Sequence, residues 1–190
     1  MKQTRNDILQ SAIQLFVSEG ISTPTARIAK NAGVSNGTLF NHFETKQILI
    51  DEIYRHVKMR IVTACTDRFK EGQDIKTNLT YSWHDYIMWA MDNMEAHRAC
   101  ALLKSSNLVS PTCSEEIEKL FAPFLMQFVT AQEQKILRMM DIEYLCHIYY
   151  AQMLTAIDYA VAHQLQGEDL ENHIATGFDI CWRSIENIQD

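Results

Sequence analysis

The side chains best suited to specific hydrogen bonding lie in a short segment between Ser35 and Lys46. Asn36 and Asn41 each offer one amide donor and one carbonyl acceptor, the pair of groups that matches the N6 and N7 edge of adenine. Gly37 adds no side chain, so a partner surface can approach the backbone closely. These residue types therefore suit contact with the edges of nucleic-acid bases.

Other nearby side chains suit contact with phosphate, which accepts hydrogen bonds from cations, hydroxyl groups and helix N-termini. Thr23 and Thr25 lie where a helix is predicted to begin, and Lys46 lies at the start of another predicted helix. The remaining candidates for phosphate contact are Arg5, Arg27 and His42.

Predicted helices position these residues. Apolar side chains recur at three- and four-residue spacing over residues 6–17, which predicts a helix with one buried face that ends at Gly20. A second helix is predicted over residues 24–32, with Thr23 as its N-cap and Pro24 in its first turn.

A third helix is predicted over residues 36–43, after a turn in which Gly33 takes a positive φ and Ser35 provides the N-cap. Residues 24–43 then form two short helices joined by a Gly-containing turn. This is the helix-turn-helix arrangement, whose second helix enters the major groove of DNA.

The facing of the third helix follows from placing two of its large apolar residues toward the core. If Leu39 and Phe43 point to the core, the rotation of about 100° per residue turns the polar residues outward. The residues expected to face bases are Asn36, Gly37, Thr38 and Asn41. A stable three-helix core with a capped turn and ordinary surface charges is the alternative that spacing alone leaves open.

Charge is unevenly distributed along the chain. The formal net charge is -7, which by itself argues against nucleic acid as a partner. Residues 1–60, however, hold eight Lys or Arg against five Asp or Glu, whereas residues 61–190 hold nine against nineteen. A basic first part and an acidic remainder indicate two functions in one chain.

Composition predicts an all-α protein. Six Gly and three Pro in 190 residues are few, which disfavours a loop-rich or all-β architecture. Five Cys without a CxxC pair predict neither a disulfide framework nor a zinc ribbon, and they fit a reducing, cytoplasmic location. No segment approaches the ~18 apolar residues that a membrane span needs, so no membrane partner is expected.

The remaining sequence predicts a helical bundle. Helices are expected over residues 46–69, 75–96, 97–107, 114–137, 141–165 and 168–188. Pro123 is expected to kink or divide one of them. We predict a DNA-binding domain at residues 1–46, a connecting helix at about 46–70, and a second domain at 71–190.

Aromatic and sulfur-containing side chains of the second domain could enclose a ligand cavity, although such stripes more often pack as core. The candidate effector-binding residues are Trp83, Tyr86, Trp89, Phe124, Phe128, Tyr149 and Met153. The last two helices carry more apolar surface than one bundle face needs, which predicts a dimer interface. Its expected residues are Ala151, Leu154, Ile157, Val161, Ile174, Phe178, Cys181 and Ile185.

Catalytic and metal-binding motifs are missing from the sequence. It contains no HExxH, no GxSxG and no two copies of Glu-x-x-His, so we expect neither an enzyme nor a metal or cofactor site.

The first 60 or so residues resemble the N-terminal domain of the tetracycline-repressor (TetR) family of transcriptional regulators. The residues that carry the resemblance are Asp7-Ile8-Leu9, Ala12, Leu15-Phe16, Gly20, Ile28-Ala29, Ala32-Gly33-Val34-Ser35, Gly37-Thr38-Leu39-Phe40, His42-Phe43, Lys46 and Leu49. Phe40 stands where the family usually has Tyr, so a hydroxyl that commonly reaches phosphate is missing.

The resemblance implies a homodimer whose recognition helices read a palindromic operator in double-stranded DNA, and a second domain that dimerises and binds an effector. It also implies base contacts by Asn36, Gly37, Thr38 and Asn41, with Phe40, His42 and Lys46 near the DNA backbone. The predicted function is a DNA-binding transcriptional regulator, a repressor released by a small molecule. The alternative is a helical-bundle protein that keeps the fold but acts without an effector, as a non-regulatory DNA-binding or protein-binding module.

Overall fold

A computed structural model describes residues 2–70 and 72–188 of the chain. Across these residues the structure is helical, with one isolated antiparallel bridge between Leu137 and Glu186. The helices are α1 (Lys2–Glu19), α2 (Thr25–Asn31), α3 (Asn36–His42), α4 (Lys46–Thr66), α5 (Ile75–Asp92), α6 (Met94–Ser105), α7 (Pro111–Glu133), α8 (Ile142–Ala162) and α9 (Gly167–Ile185). The predicted all-α class is confirmed. None of the helices described here combines the length and apolar character that crossing a membrane requires.

Most predicted helix ends lie within a few residues of the observed ends. A division of this helix at Pro123, one of the two effects expected of the proline, is not found: α7 continues through this residue. A proline removes one backbone donor and crowds one carbonyl of the preceding turn, and the rest of a long helix can continue on both sides.

The chain packs as two compact units that alternate along the sequence. The first unit contains the chain up to Arg60 together with Asn93–Lys119, and the second contains Ile61–Asp92 and the chain from Leu120 onward. Helices α4 and α7 each contribute residues to both units. The predicted division at residue 71 follows sequence order and stays a prediction about function, since packing groups α6 with the first unit.

In the first unit, α1, α2 and α3 bury one another's apolar faces. Ile8 and Phe16 of α1, Ile28 of α2 and Leu39 of α3 are fully buried. The Ser11 hydroxyl donates a hydrogen bond of 2.9 Å to the Ile28 carbonyl, which ties α2 to α1 through a buried polar contact. In the same unit, α6 packs against α1.

The turn between α2 and α3 has the predicted chemistry. Gly33 has a φ of +70°, and the Val34 N–H closes α2 by donating to the Ala29 carbonyl at 3.0 Å. Ser35 caps α3, because its hydroxyl oxygen accepts a hydrogen bond of 3.0 Å from the Thr38 N–H. The sequence-based turn and cap are confirmed.

The predicted N-cap of α2 is wrong. Pro24 occupies the N-cap position, and no side chain caps this helix. The Thr23 hydroxyl instead donates a hydrogen bond of 2.7 Å to the Gly20 carbonyl, and Thr23 is only 3% exposed. The side chain therefore turns back toward the end of α1 and stabilises the connecting loop.

In the second unit, α5, α8 and α9 pack around an aromatic cluster. The Trp83 ring contacts Tyr149 and Phe178 edge-on, with centroid distances of 5.6 and 5.9 Å. Its indole N–H donates to the Ile174 carbonyl at 3.0 Å. Gly177 makes room for this ring, since a Cβ there would lie 3.2 Å from it.

Helices α8 and α9 pack against each other, and this packing corrects the predicted dimer surface. Several residues expected at that surface are buried within the protomer: Ile157, Ile174, Phe178, Cys181 and Ile185. They are therefore core residues. The large apolar side chains that these two helices expose are Tyr144, Tyr159 and Ile180.

The facing of α3 can be tested with two neighbouring residues. Leu39→Ala should lower the free energy of unfolding by about 2–5 kcal/mol, because Leu39 is fully buried and a cavity would remain. Phe40→Ala should change it by no more than about 0.5 kcal/mol, since the Phe40 side chain is exposed. Urea unfolding followed by circular dichroism measures both, and equal losses would show that α3 is rotated differently.

Candidate functional site

The outer face of α3 is the candidate nucleic-acid interface. Leu39 is 0% exposed and Phe43, which caps the helix C-terminus, is 1% exposed, so these two residues fix the helix on the core. The exposed residues of the helix are Asn36, Gly37, Phe40 and Asn41. Both asparagine amides thus lie on the solvent side, as predicted.

Two predicted contact residues of α3 are less available. Thr38 is half-buried, and its hydroxyl lies 2.9 Å from the Ser35 hydroxyl in the cap of the helix. His42 is also half-buried, and its ring centroid is 6.4 Å from that of Phe43. Ser35, Thr38 and His42 therefore hold the end turns of α3 in addition to any role toward DNA.

Lys46 links the start of α4 to the loop before α2. Its Nζ donates a hydrogen bond of 2.8 Å to the Thr23 carbonyl and lies 5.9 Å from the centroid of the Phe16 ring. Partial burial lowers the pKa of Lys46 from its usual value. One of the three N–H donors of the ammonium group thus bonds within the protein, and the other two can donate to an outside partner.

The threonines predicted at the start of α2 differ in exposure. Thr25 is the first residue of α2 and is half-buried. Thr23 is buried and its hydroxyl is already bonded to the Gly20 carbonyl, so the predicted phosphate contact of Thr23 is not available in this structure.

The two arginines near this face are already paired with carboxylates. Arg27 is exposed and makes an ion pair of 2.9 Å with Glu19, whose hydrogen bond and charge raise the pKa of Arg27. Arg5 pairs with Glu52 of α4 and lies over the Phe43 ring at 5.1 Å. Arg5 therefore braces α1 against α4, and Arg27 is the more accessible cation.

A pocket of about 250 Å³ lies within the second unit. It is lined by Val62, Cys65, Thr66, Phe69, Leu120, Phe121, Pro123, Phe124 and Gln127. No Asp, Glu, Lys or Arg is among these lining residues. The Phe69 and Phe124 rings stack here with centroids 6.0 Å apart, so most of the wall is apolar.

Among the predicted effector residues, Phe124 lines this pocket and the others do not. Trp83, Tyr86, Phe128, Tyr149 and Met153 are buried, and Trp89 is half-buried with its ring stacked on Tyr86. The Tyr149 hydroxyl donates to the Leu79 carbonyl at 2.9 Å, and burial raises the pKa of Tyr149 well above its usual value. Apart from the half-buried Trp89, these side chains are core residues, and Tyr149 packs edge-on against Trp83.

The sequence-based reasoning missed the α4 side of the pocket. Val62, Cys65 and Phe69 recur at three- and four-residue spacing, which is the signal of a helix face that meets a neighbour. The same spacing predicts only a connecting helix, because the sequence does not show whether the neighbouring helix fills the space beside it.

Comparisons with known proteins agree with this arrangement. The family model described as bacterial regulatory proteins, tetR family, matches residues 8–53. The chain is 27% identical over 90 residues to the nucleoid occlusion factor SlmA of Marinobacter nauticus, which is 47% of this chain and 46% of that protein. It is 43% identical over 54 residues to the transcriptional regulator AcrR of Shigella flexneri, 28% of this chain and 25% of that protein.

A third curated relative, the transcriptional repressor KstR2 of Rhodococcus jostii, is 40% identical over 52 residues, which is 27% of this chain and 26% of that protein. The matched segments thus span less than half the length of these curated relatives. The family model, at residues 8–53, covers the helix-turn-helix part, in which α3 lies.

Solved structures match over nearly the whole chain. A proposed tetR family transcription regulator from Shewanella sp. PV-4 is 26% identical with a TM-score of 0.86, covering 98% of this chain and 99% of that one. A TetR family transcription regulator from Marinobacter aquaeolei VT8 has a TM-score of 0.90 at 21% identity, covering 99% and 100%. The helix-turn-helix segment thus matches the tetR family of bacterial regulatory proteins in sequence, and the whole chain has the fold of solved tetR family regulators.

Proposed function

We propose that this protein is a transcriptional regulator that binds a palindromic operator in double-stranded DNA as a homodimer. The observation that carries the proposal is the outer face of α3, where Asn36, Gly37 and Asn41 are exposed over a fully buried Leu39. A major groove accepts one helix presented in this way.

Base reading and positioning fall to different residues in this proposal. Asn36 and Asn41 read bases, because an amide pairs with adenine through one donor and one acceptor. Phosphate contacts come from Thr25, Arg27, His42 and Lys46. Few cations surround this face in a chain of net charge -7, so each phosphate contact matters for affinity.

Dimerisation is proposed through the outer surfaces of α8 and α9. Their buried residues complete the protomer core, so the interface uses exposed residues such as Tyr144, Tyr159 and Ile180. A dimer presents two copies of α3, and successive major grooves on one side of a duplex lie about 34 Å apart.

The effector in this proposal is an uncharged, mostly apolar small molecule held in the pocket of the second unit. A charged ligand would lose its hydration without finding a charged partner among the lining residues. Gln127 offers an amide donor and acceptor for one polar group of the ligand. The Thr66 hydroxyl is less suited to this role, since it donates to the Val62 carbonyl at 2.8 Å.

Repression released by this effector is the proposed mode of regulation. Ligand would favour the dimer state in which the two recognition helices are wrongly spaced for the operator, a population shift between two conformations. The regulator is favoured over a module without regulatory function because two of the three curated relatives described above are named as a transcriptional regulator or repressor.

Reader and positioning residues should respond differently to substitution. Asn41→Ala should cost about 1–3 kcal/mol of discrimination at one base pair per half-site, because the bidentate contact is lost. Lys46→Ala should weaken binding to all duplexes alike and reduce the salt dependence by about one phosphate contact per protomer.

Both variants are measured by fluorescence anisotropy on an operator selected from a random duplex pool, at several salt concentrations. Because Lys46 also holds the Thr23 carbonyl, its unfolding curve is recorded as a control. If the two substitutions gave the same change in sequence preference and in salt dependence, the division into readers and positioning residues would be wrong.

The effector site can be tested by filling it. Val62→Phe places a ring in the pocket and should abolish the effect of any active compound on operator affinity while leaving basal operator binding intact. Val129→Phe is the matched control, since Val129 is half-buried on α7 and is not among the lining residues. Operator binding is titrated against neutral apolar compounds and charged analogues of similar size. A response to charged compounds only, or an unchanged response in Val62→Phe, would contradict the proposed site.

A further inference from the structure

Phe40 is unusual among the phenylalanines of this chain. All eight lie in the part that the structure describes, and seven of them are buried or half-buried. Phe40 is 38% exposed, on the same outer face of α3 as Asn36 and Asn41. Its ring takes part in none of the ring–ring or cation–ring contacts found among the described residues. An exposed apolar ring on this face is available to an outside partner.

Gly37 leaves space beside this ring. It has ordinary helical backbone within α3, and a Cβ added to it would meet only the Ser35 hydroxyl oxygen, at 3.7 Å. The fold therefore does not require glycine here, although glycine is a poor helix former. Aromatic side chains in helices lean toward the preceding turn, which for Phe40 is the turn that holds Asn36 and Gly37. The outer face of α3 thus carries the exposed Phe40 ring beside Gly37, which has no side chain.

The major groove offers one apolar group on its base edges, the C5-methyl of thymine. A phenyl ring has no hydrogen-bonding atom with which to contact phosphate or a polar base edge. We propose that Phe40 and Gly37 together recognise a thymine of the operator, with its methyl group packed between the Phe40 ring and the Gly37 backbone. This inference rests on the proposed function, because it requires that α3 enters the major groove.

The test compares operators that differ by single methyl groups. Each thymine of one selected half-site is replaced in turn by deoxyuridine, which keeps every hydrogen-bonding group and lacks only the methyl. At one position the wild-type Kd should rise about fourfold, which corresponds to about 0.8 kcal/mol for one buried methyl group. Phe40→Ala should bind the thymine and deoxyuridine duplexes equally, whereas Phe40→Tyr, which keeps the ring, should retain the difference.

Gly37→Ala provides a second, independent arm. Its unfolding midpoint in urea should equal or exceed that of the wild type, because alanine is the better helix former and has space. Its operator affinity should fall at least tenfold, since the added methyl occupies the place of the thymine methyl. Retained operator affinity in Gly37→Ala would overturn the contact.

Two further results would also be decisive. If no deoxyuridine replacement changes the wild-type Kd, or if Phe40→Ala stays as sensitive as the wild type, the methyl contact is wrong while DNA binding stands. If the wild type binds no duplex from the random pool, the proposed function itself fails, and the thymine contact fails with it.

Discussion

Burial of Leu39 and Phe43 is the constraint on which the candidate interface depends. Helix α3 has only seven residues, too few to be stable alone in water, so its position comes from the apolar contacts it makes with the core of the first unit. The Ser35 cap sets where the helix begins, and the two buried side chains set its rotation. With the start and the rotation of the helix fixed, the side chains of Asn36, Phe40 and Asn41 point toward solvent.

Polar contacts around this core connect the helices and loops next to α3, the helix proposed to contact DNA. Lys46 donates to the Thr23 carbonyl and Ser11 donates to the Ile28 carbonyl, so the start of α4 is fixed to the loop before α2, and the middle of α2 is fixed to α1. Arg5 and Arg27 are paired with carboxylates, which reduces the positive charge that this face presents. In the proposed DNA complex, phosphate contact would therefore rest on a small number of groups, since the whole chain is acidic.

In the second unit, aromatic side chains serve two different purposes. Around Trp83 the rings pack edge-on against one another, and Gly177 lets the indole approach α9 closely, since a Cβ there would lie 3.2 Å from the ring. Near Phe124 and Phe69 the packing leaves a pocket instead, between the last turns of α4 and the middle of α7. The same residue types thus build either a rigid core or a cavity, depending on whether a neighbouring helix comes close enough to fill the gap.

By itself the sequence determined the helices, the Gly33 turn, the Ser35 cap and the inward facing of Leu39 and Phe43, because each depends on residues within a few positions of one another. The tertiary structure alone decided that Thr23 turns inward, that Ile174, Phe178 and Cys181 belong to the protomer core, and that Tyr149 packs in the core while Val62 and Cys65 line a pocket. The reason is physical: helical periodicity tells which side of a helix is apolar, but which helix covers that side, and how completely, is decided by contacts between residues far apart in the chain.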